Sequence, residues 1–226
     1  MKTLKKQIPY ILLGATLLLL LGLNIISQDH WLDSDMAAEM IFSRILSEEH
    51  HIFSTTNWYY STEFRVLYTQ LIMGPLFRIC SNWHVIRTIT NLVFYGLMLA
   101  SYYYFMKPLK VSRGLTVLRS CLLLLPFSET MMTHMQMGNT YMSHVILVLW
   151  FFGMYLRLCS GEYSAKRKVS LWIFYVLLAI VCGMSGVRYL LALQCPLVLT
   201  SFFYLLGGEE FQSFRGEMTK EHFRSL

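Results

Sequence analysis

Acidic residues with helical spacing stand early in the chain, in the run Asp33-Ser34-Asp35-Met36-Ala37-Ala38-Glu39. From Asp35 to Leu46 the sequence predicts an amphipathic helix, with Asp33 or Ser34 as its N-cap. Asp35 and Glu39, four residues apart, would then share a face. Two such carboxylates can accept a proton from a hydroxyl or hold a divalent cation. The alternative is that acids in a first helical turn only complement the helix dipole and face solvent.

A second cluster combines aromatic rings with polar groups, in the run Asn57-Trp58-Tyr59-Tyr60-Ser61-Thr62-Glu63. Adjacent rings offer flat apolar faces to a sugar, and the amide and carboxylate can bind its hydroxyls. The same composition is typical of the aromatic belt at a membrane surface. Both interpretations stay open at this stage.

One arginine and one histidine could serve phosphate chemistry. Arg188 follows Gly183-Met184-Ser185-Gly186-Val187, and its guanidinium could pair with a phosphate in two parallel hydrogen bonds. The alternative is an arginine that reaches ordinary lipid headgroups. His134 belongs to a set of histidines with no metal-ligand spacing such as HExxH. Nucleotide-binding and GxSxG motifs are also missing from the sequence, which gives no support to soluble nucleotide chemistry.

The composition indicates a membrane protein. Of 226 residues, 55% are hydrophobic and only 14% are charged, whereas soluble domains carry about 25% charged residues. The net charge of +6 comes from small basic clusters between apolar runs, which argues against a nucleic-acid partner and favours membrane lipids. The five cysteines form no CxxC pair, so neither a disulfide framework nor a zinc site is indicated.

We therefore predict an all-α, polytopic integral membrane protein with about six transmembrane helices and no second, soluble domain. The first apolar run is long enough to span the bilayer and has no A-x-A-like cleavage site, so it is interpreted as an anchor. The predicted spans are 8–26, 83–105, 115–127, 141–158, 169–183 and 189–206.

The charges orient these spans. With six spans, twelve of the nineteen basic residues fall on one side, which the positive-inside rule makes cytoplasmic, together with both termini and the tail 207–226. Residues 28–82 then form a long external loop with seven of the thirteen acids. Within it, the apolar stretch Phe64–Ile79 carries Arg65, Arg78 and Pro75. We interpret it as a helix in the outer interface, because counting it as a span would place the basic loops outside.

This arrangement resembles the N-terminal half of GT-C-type membrane glycosyltransferases, the superfamily of protein O-mannosyltransferases and aminoarabinose transferases. The resemblance rests on one span followed by a long external loop that begins D-S-D-x-A-A-E, and it covers roughly residues 1–110 by layout. It implies a sugar donor linked to polyprenyl phosphate, a bacterial plasma membrane, and Asp33 or Asp35 as the loop acid that deprotonates the acceptor hydroxyl. Family members usually have more spans, so the resemblance also implies a truncated form or a second membrane subunit that completes the fold.

The expected function is transfer of a sugar from a polyprenyl-phosphate donor to an acceptor hydroxyl on the outer face. Asp33 or Asp35 would act as general base, and Arg188 with His134 would stabilise the departing phosphate. Sugar or acceptor would be bound by Glu39, Asn57, Trp58, Tyr59 and Glu63. The sequence identifies no cofactor with certainty and leaves metal dependence open, since the carboxylate pair would suit a divalent cation. The alternatives are a transporter or flippase-like subunit and an inactive remnant. Mid-span residues that are mostly apolar favour interfacial chemistry over transport.

Overall fold

The structure is a computed structural model that describes residues 2–60, 66–159 and 164–206, and the regular structure in these ranges is entirely helical. The all-α prediction is therefore confirmed. Within the described ranges, ten α-helices are joined by 3₁₀ turns at Gln28–Trp31 and Lys107–Leu109 and by π-helical segments at Met132–Met137 and Leu190–Gln194. The α-helices are α1 (Lys2–Ile26), α2 (Ser34–Glu48), α3 (Gln70–Phe77), α4 (Trp83–Met106), α5 (Arg113–Leu124), α6 (Glu129–Met131), α7 (Met142–Cys159), α8 (Ala165–Met184), α9 (Val187–Tyr189) and α10 (Cys195–Leu206).

Three of these helices are long and apolar enough to cross a membrane. The apolar stretches are Gln7–Ile26, Trp83–Leu109 and Ala165–Met184. Much of this surface is exposed rather than packed: Leu18 of α1 is 70% exposed and Leu177 of α8 is 57% exposed. Continuous exposed apolar surface of this extent suits lipid, not water. The chain is therefore a membrane protein, as its composition predicted.

The predicted count of six spans is not established by helix length. Segments Arg113–Leu124 and Glu129–Met137 are bent by 96° across a short break, and counting them as one broken span raises the number of candidates in the described ranges from three to four. Met142–Leu158 and Val187–Phe203 are apolar but shorter. The break has a local cause: Pro126 disfavours the helical conformation of the residue before it, and Leu125 is accordingly extended.

The two helices predicted in the external loop are present. Helix α2 begins at Ser34, directly after the predicted cap, and α3 spans Gln70–Phe77 within the stretch interpreted as interfacial. With eight residues, α3 is only about 12 Å long. It is therefore too short to cross the bilayer.

Helix α4 is the centre of the bundle. It packs against α1 and α7, and its Phe94, Tyr95 and Met98 join Leu20 of α1 in the main core cluster. Gly153 of α7 allows that helix to approach α4 closely, because a Cβ there would lie 2.7 Å from the Tyr104 ring. The α1–α4–α7 packing fixes the position of the segments that contact the N-terminal end of α4.

The two ends of the bundle differ in charge. Among the described residues, the acidic side chains lie in the segment that joins α1 to α4 or directly after the break at Pro126. The links between α4 and α5 and at the start of α8 instead carry the basic residues Lys107, Lys110, Arg113, Lys166, Arg167 and Lys168. We call these two ends the acidic end and the basic end.

Candidate functional site

The predicted acid-bearing helix begins with a side-chain cap. Asp33 Oδ1 accepts a hydrogen bond of 2.8 Å from the Met36 amide, so this carboxylate is held in a defined position at the start of α2. Asp35, in the first turn, is exposed. The structure thus places both predicted catalytic acids at the N-terminal end of α2, and Asp33 is the one that forms the capping hydrogen bond.

Glu39 belongs to a different environment from Asp35. Its carboxylate accepts a hydrogen bond from the Tyr68 hydroxyl and one of 3.4 Å from Thr69, and it lies 3.5 Å from Nη1 of Arg87. The side chain of Glu39 is 11% exposed and that of Arg87 is 1% exposed. Glu39 therefore forms a buried ion pair between α2 and α4.

Arg87 connects this ion pair to the broken span. Its Nε donates to the Met137 carbonyl at 3.0 Å and its Nη2 donates to the Gly138 carbonyl at 2.9 Å. These carbonyls end the π-helical segment, where the backbone has no helical partner. In a bilayer such groups must be satisfied by protein, and Arg87 does so from α4.

Below Arg87, three asparagines, a glutamine and a tyrosine form a buried polar layer with the broken span. Asn91 Nδ2 donates to Asn24 Oδ1 at 2.5 Å and to the Met137 carbonyl at 3.1 Å, and its Oδ1 accepts from Asn139. The Tyr95 hydroxyl donates to the Gln136 carbonyl at 2.5 Å. The side chain of Gln136 in turn donates to the Leu124 carbonyl at 2.7 Å, across the break.

Sequence reasoning missed this polar layer. It weighed the mid-span residues by their mostly apolar composition, whereas the buried face of α4 carries Arg87, Asn91 and Tyr95. Their spacing of four residues places them on one helix face and was visible in the sequence. The mid-span residues are mostly apolar, as the sequence indicated, but the backbone of the broken span needs polar partners inside the bundle, and these three side chains supply them.

His134 and Arg188, predicted to act together, meet on one ring. The His134 ring lies 5.8 Å from that of Tyr141, and the Arg188 guanidinium lies 5.0 Å from the centre of the same ring. His144 adds a further imidazole, stacked at 4.5 Å on Tyr189. Nδ1 of His134 is buried and has no hydrogen-bond partner among the described residues. Two nitrogen-bearing side chains thus flank Tyr141, a geometry that sequence spacing could not show.

Packing joins this ring cluster to the acids. Met36, in the first turn of α2, packs with Met132 and Met137 of the π-helical segment that carries His134. On the other side, the Val66 amide donates to Ser185 Oγ at 3.3 Å, three residues before Arg188. The start of α2, the π-helical segment and the end of α8 therefore converge at the acidic end.

The aromatic cluster that the sequence predicted to bind sugar packs beside a later part of α2, away from Asp33. Trp58 packs on Phe42 with ring centres 5.3 Å apart, and Phe42 lies about 14 Å along the helix from Asp33. Asn57 donates to Glu49 Oε1 at 2.6 Å. Hydrogen bonds from Thr55 and Asn57 hold the pKa of Glu49 below its usual value. Tyr59 is 87% exposed, and Glu63 lies outside the described residues.

A cavity of about 280 Å³ opens beside α2, lined mostly by apolar side chains such as Met36 and Met40. Its polar lining includes Arg87 and the pair Asp29–His84, in which Nδ1 and Oδ1 are 3.6 Å apart. No motif in the sequence distinguishes these two residues. The cavity could admit an apolar chain that carries a polar or anionic group.

No group of three or more histidine, cysteine or acidic side chains that could hold a metal ion occurs in the ranges that the structure describes. Glu39 faces Arg87 while Asp35 is exposed, so the two carboxylates do not form the joint cation site that their spacing suggested. No protein-family model matches the chain, and no curated protein and no solved structure matches it.

Proposed function

We propose that the chain is a membrane glycosyltransferase, or the N-terminal portion of one, with six spans and both termini in the cytoplasm of a bacterial cell. It transfers a sugar from a polyprenyl-phosphate donor to an acceptor hydroxyl at the outer membrane face. One observation carries the proposal: the capped start of α2, which bears Asp33, packs against the segment that bears His134, and Arg188 shares the Tyr141 ring with that histidine.

The proposed roles follow from the charges. Asp33 accepts the proton of the acceptor hydroxyl, with Asp35 as the alternative base. Arg188 and His134 bind the phosphate that leaves with the polyprenyl chain, because a guanidinium and an imidazole supply hydrogen bonds to its oxygens. Glu39 contributes to substrate binding indirectly: it pairs with Arg87, whose guanidinium lines the cavity beside α2 and would contact the substrate. A second membrane subunit would complete the donor groove.

The proposal is tested by a transferase assay in membranes that contain a polyprenyl-phosphate-sugar pool. Asp33→Asn is the informative variant, since asparagine caps a helix about as well as aspartate but cannot act as a base. Loss of a general base lowers the rate by about 10²–10⁴-fold. Asp35→Asn is tested in parallel, and Glu48→Gln, an exposed acid at the far end of α2, is the matched control.

If Asp33→Asn and Asp35→Asn both transfer at the rate of the Glu48→Gln control, neither acid is the base and the proposed mechanism fails. A transporter or flippase-like role is the second candidate, because buried polar residues inside spans often mark a translocation path. It would be favoured if wild-type protein, with any partner subunit co-expressed, transferred no sugar but moved a polyprenyl-phosphate sugar across vesicles.

A further inference from the structure

A second cavity lies at the basic end of the bundle, far from the acidic end. Its volume is about 470 Å³, and it is bounded by the start of α1, the end of α4 and the start of α5. Tyr10 and Arg113 line it from α1 and α5, and Tyr103 and Lys107 line it from the α4 side. The remaining wall is formed by Met106, Val111, Thr116 and Val117.

The positive charge of this cavity has no acidic counterpart in the part of the protein that the structure describes. Neither Lys107 nor Arg113 forms an ion pair with a carboxylate of the described residues, and the acids in those ranges all belong to the acidic end. Both basic side chains are exposed at the rim, while Thr116 and Val117 are buried behind them. The cavity therefore has a cationic mouth and a largely apolar interior.

We propose that this cavity binds the headgroup of an anionic phospholipid. A phosphate would be held between Lys107 and Arg113, and the tyrosine hydroxyls would bind its ester or glycerol oxygens. The apolar wall of Met106, Val111 and Val117 would receive the first carbons of an acyl chain. This wall favours a lipid over a free anion, which would gain nothing from it. The exposed apolar surface of α1 beside the cavity leaves a path for the rest of the chain.

The position agrees with the charge of membranes. Basic residues next to spans face the cytoplasmic leaflet, where anionic lipids are attracted to them. The proposal depends on membrane insertion and on this cavity, and it is independent of the proposed transferase activity. The bound lipid would fill the space between α1, α4 and α5 and fix the basic ends of these helices.

Native mass spectrometry of the purified full chain in a neutral detergent tests the proposal. Short-chain phosphatidylglycerol is titrated against phosphatidylcholine with the same acyl chains. We expect wild-type protein to retain one molecule of phosphatidylglycerol and to retain little phosphatidylcholine. A basic group near an anionic lipid contributes roughly fivefold in affinity, so Lys107→Gln with Arg113→Gln should weaken binding by about 25-fold.

Lys110→Gln is the matched control, because Lys110 is exposed close by but does not line the cavity. It should change binding less than twofold, and Lys107→Arg should retain it. Equal retention of both lipids would overturn the proposal, as would an equal loss in Lys110→Gln and the double variant. Displacement by millimolar inorganic phosphate would show a free-anion site instead. If the double variant loses its helical circular dichroism, Lys107→Gln and Arg113→Gln are measured separately. Each is then expected to lower the affinity for phosphatidylglycerol by about fivefold.

Discussion

Replacement of Arg87 by methionine should destabilise the protein more than replacement of any surface cation. Arg87 is 1% exposed and donates to two backbone carbonyls as well as facing Glu39. Methionine fills similar space but removes the cation that faces the Glu39 carboxylate. It also takes the Arg87 donor from the Gly138 carbonyl and leaves the Met137 carbonyl with its hydrogen bond from Asn91. Breaking a buried ion pair by removing one partner costs about 3–5 kcal/mol, and we expect a loss in this range. Arg44→Met, which removes an exposed pair with Glu48 and a contact with the Trp83 ring, should cost about 1 kcal/mol.

The assay is equilibrium unfolding in mixed micelles of a mild detergent and dodecyl sulfate, followed by helical circular dichroism. A double-mutant cycle with Glu39→Gln isolates the ion pair. Because the second exchange removes the charge that the first leaves unpaired, the double variant should lose less than the two single losses added together, by about 1–3 kcal/mol. A loss below about 0.5 kcal/mol for Arg87→Met, or strict additivity in the cycle, would refute the role assigned to this residue.

Two further predictions concern Gly138 and Glu49. Gly138→Ala should destabilise the protein by about 1–3 kcal/mol in the same assay, because its Cβ would lie 2.6 Å from the Thr133 carbonyl oxygen. Gly14→Ala, where a Cβ meets no atom within 4 Å, should be neutral or stabilising, and equal losses would contradict the packing explanation. Asn57→Ala should raise the pKa of Glu49 toward 4.5, measured by carboxyl ¹³C titration. The stabilisation that the Glu49 carboxylate gives the loop is present above about pH 4.5 and is lost as the pH falls through its lowered pKa. If the titration midpoint of Glu49 is the same in Asn57→Ala as in wild type, the hydrogen bond from Asn57 is excluded.

The sequence was sufficient for features that depend on local periodicity. Helix α2 was predicted from Asp35 to Leu46 and extends over Ser34–Glu48, and its cap is Asp33, one of the two residues proposed for that position. The all-helical architecture followed from apolar runs that only helices can carry across lipid. The interpretation of Phe64–Ile79 as too short and too charged for a span agrees with the eight residues of α3.

Features that depend on distant contacts were not accessible in this way. The four-residue spacing of Arg87 and Asn91 along α4 was visible in the sequence, but their common partner, the broken span after Pro126, was not. The contact of His134 and Arg188 with Tyr141 joins residues more than forty positions apart. Asn57 and Trp58 contact Glu49 and Phe42 because of the path that the chain takes after α2, and residue spacing in the sequence does not determine this path.

Donor turnover by the purified chain in lipid vesicles tests the central claim most directly. A panel of polyprenyl-phosphate sugars is supplied with hydroxyl acceptors, and release of polyprenyl phosphate is measured for wild type, Asp33→Asn and Arg188→Gln. The account predicts release by wild type with at least one donor, and a loss of about 10²-fold or more in Asp33→Asn with its helical content unchanged. Release by wild type that neither exchange lowers, or no release from any donor even with a partner subunit present, would contradict it.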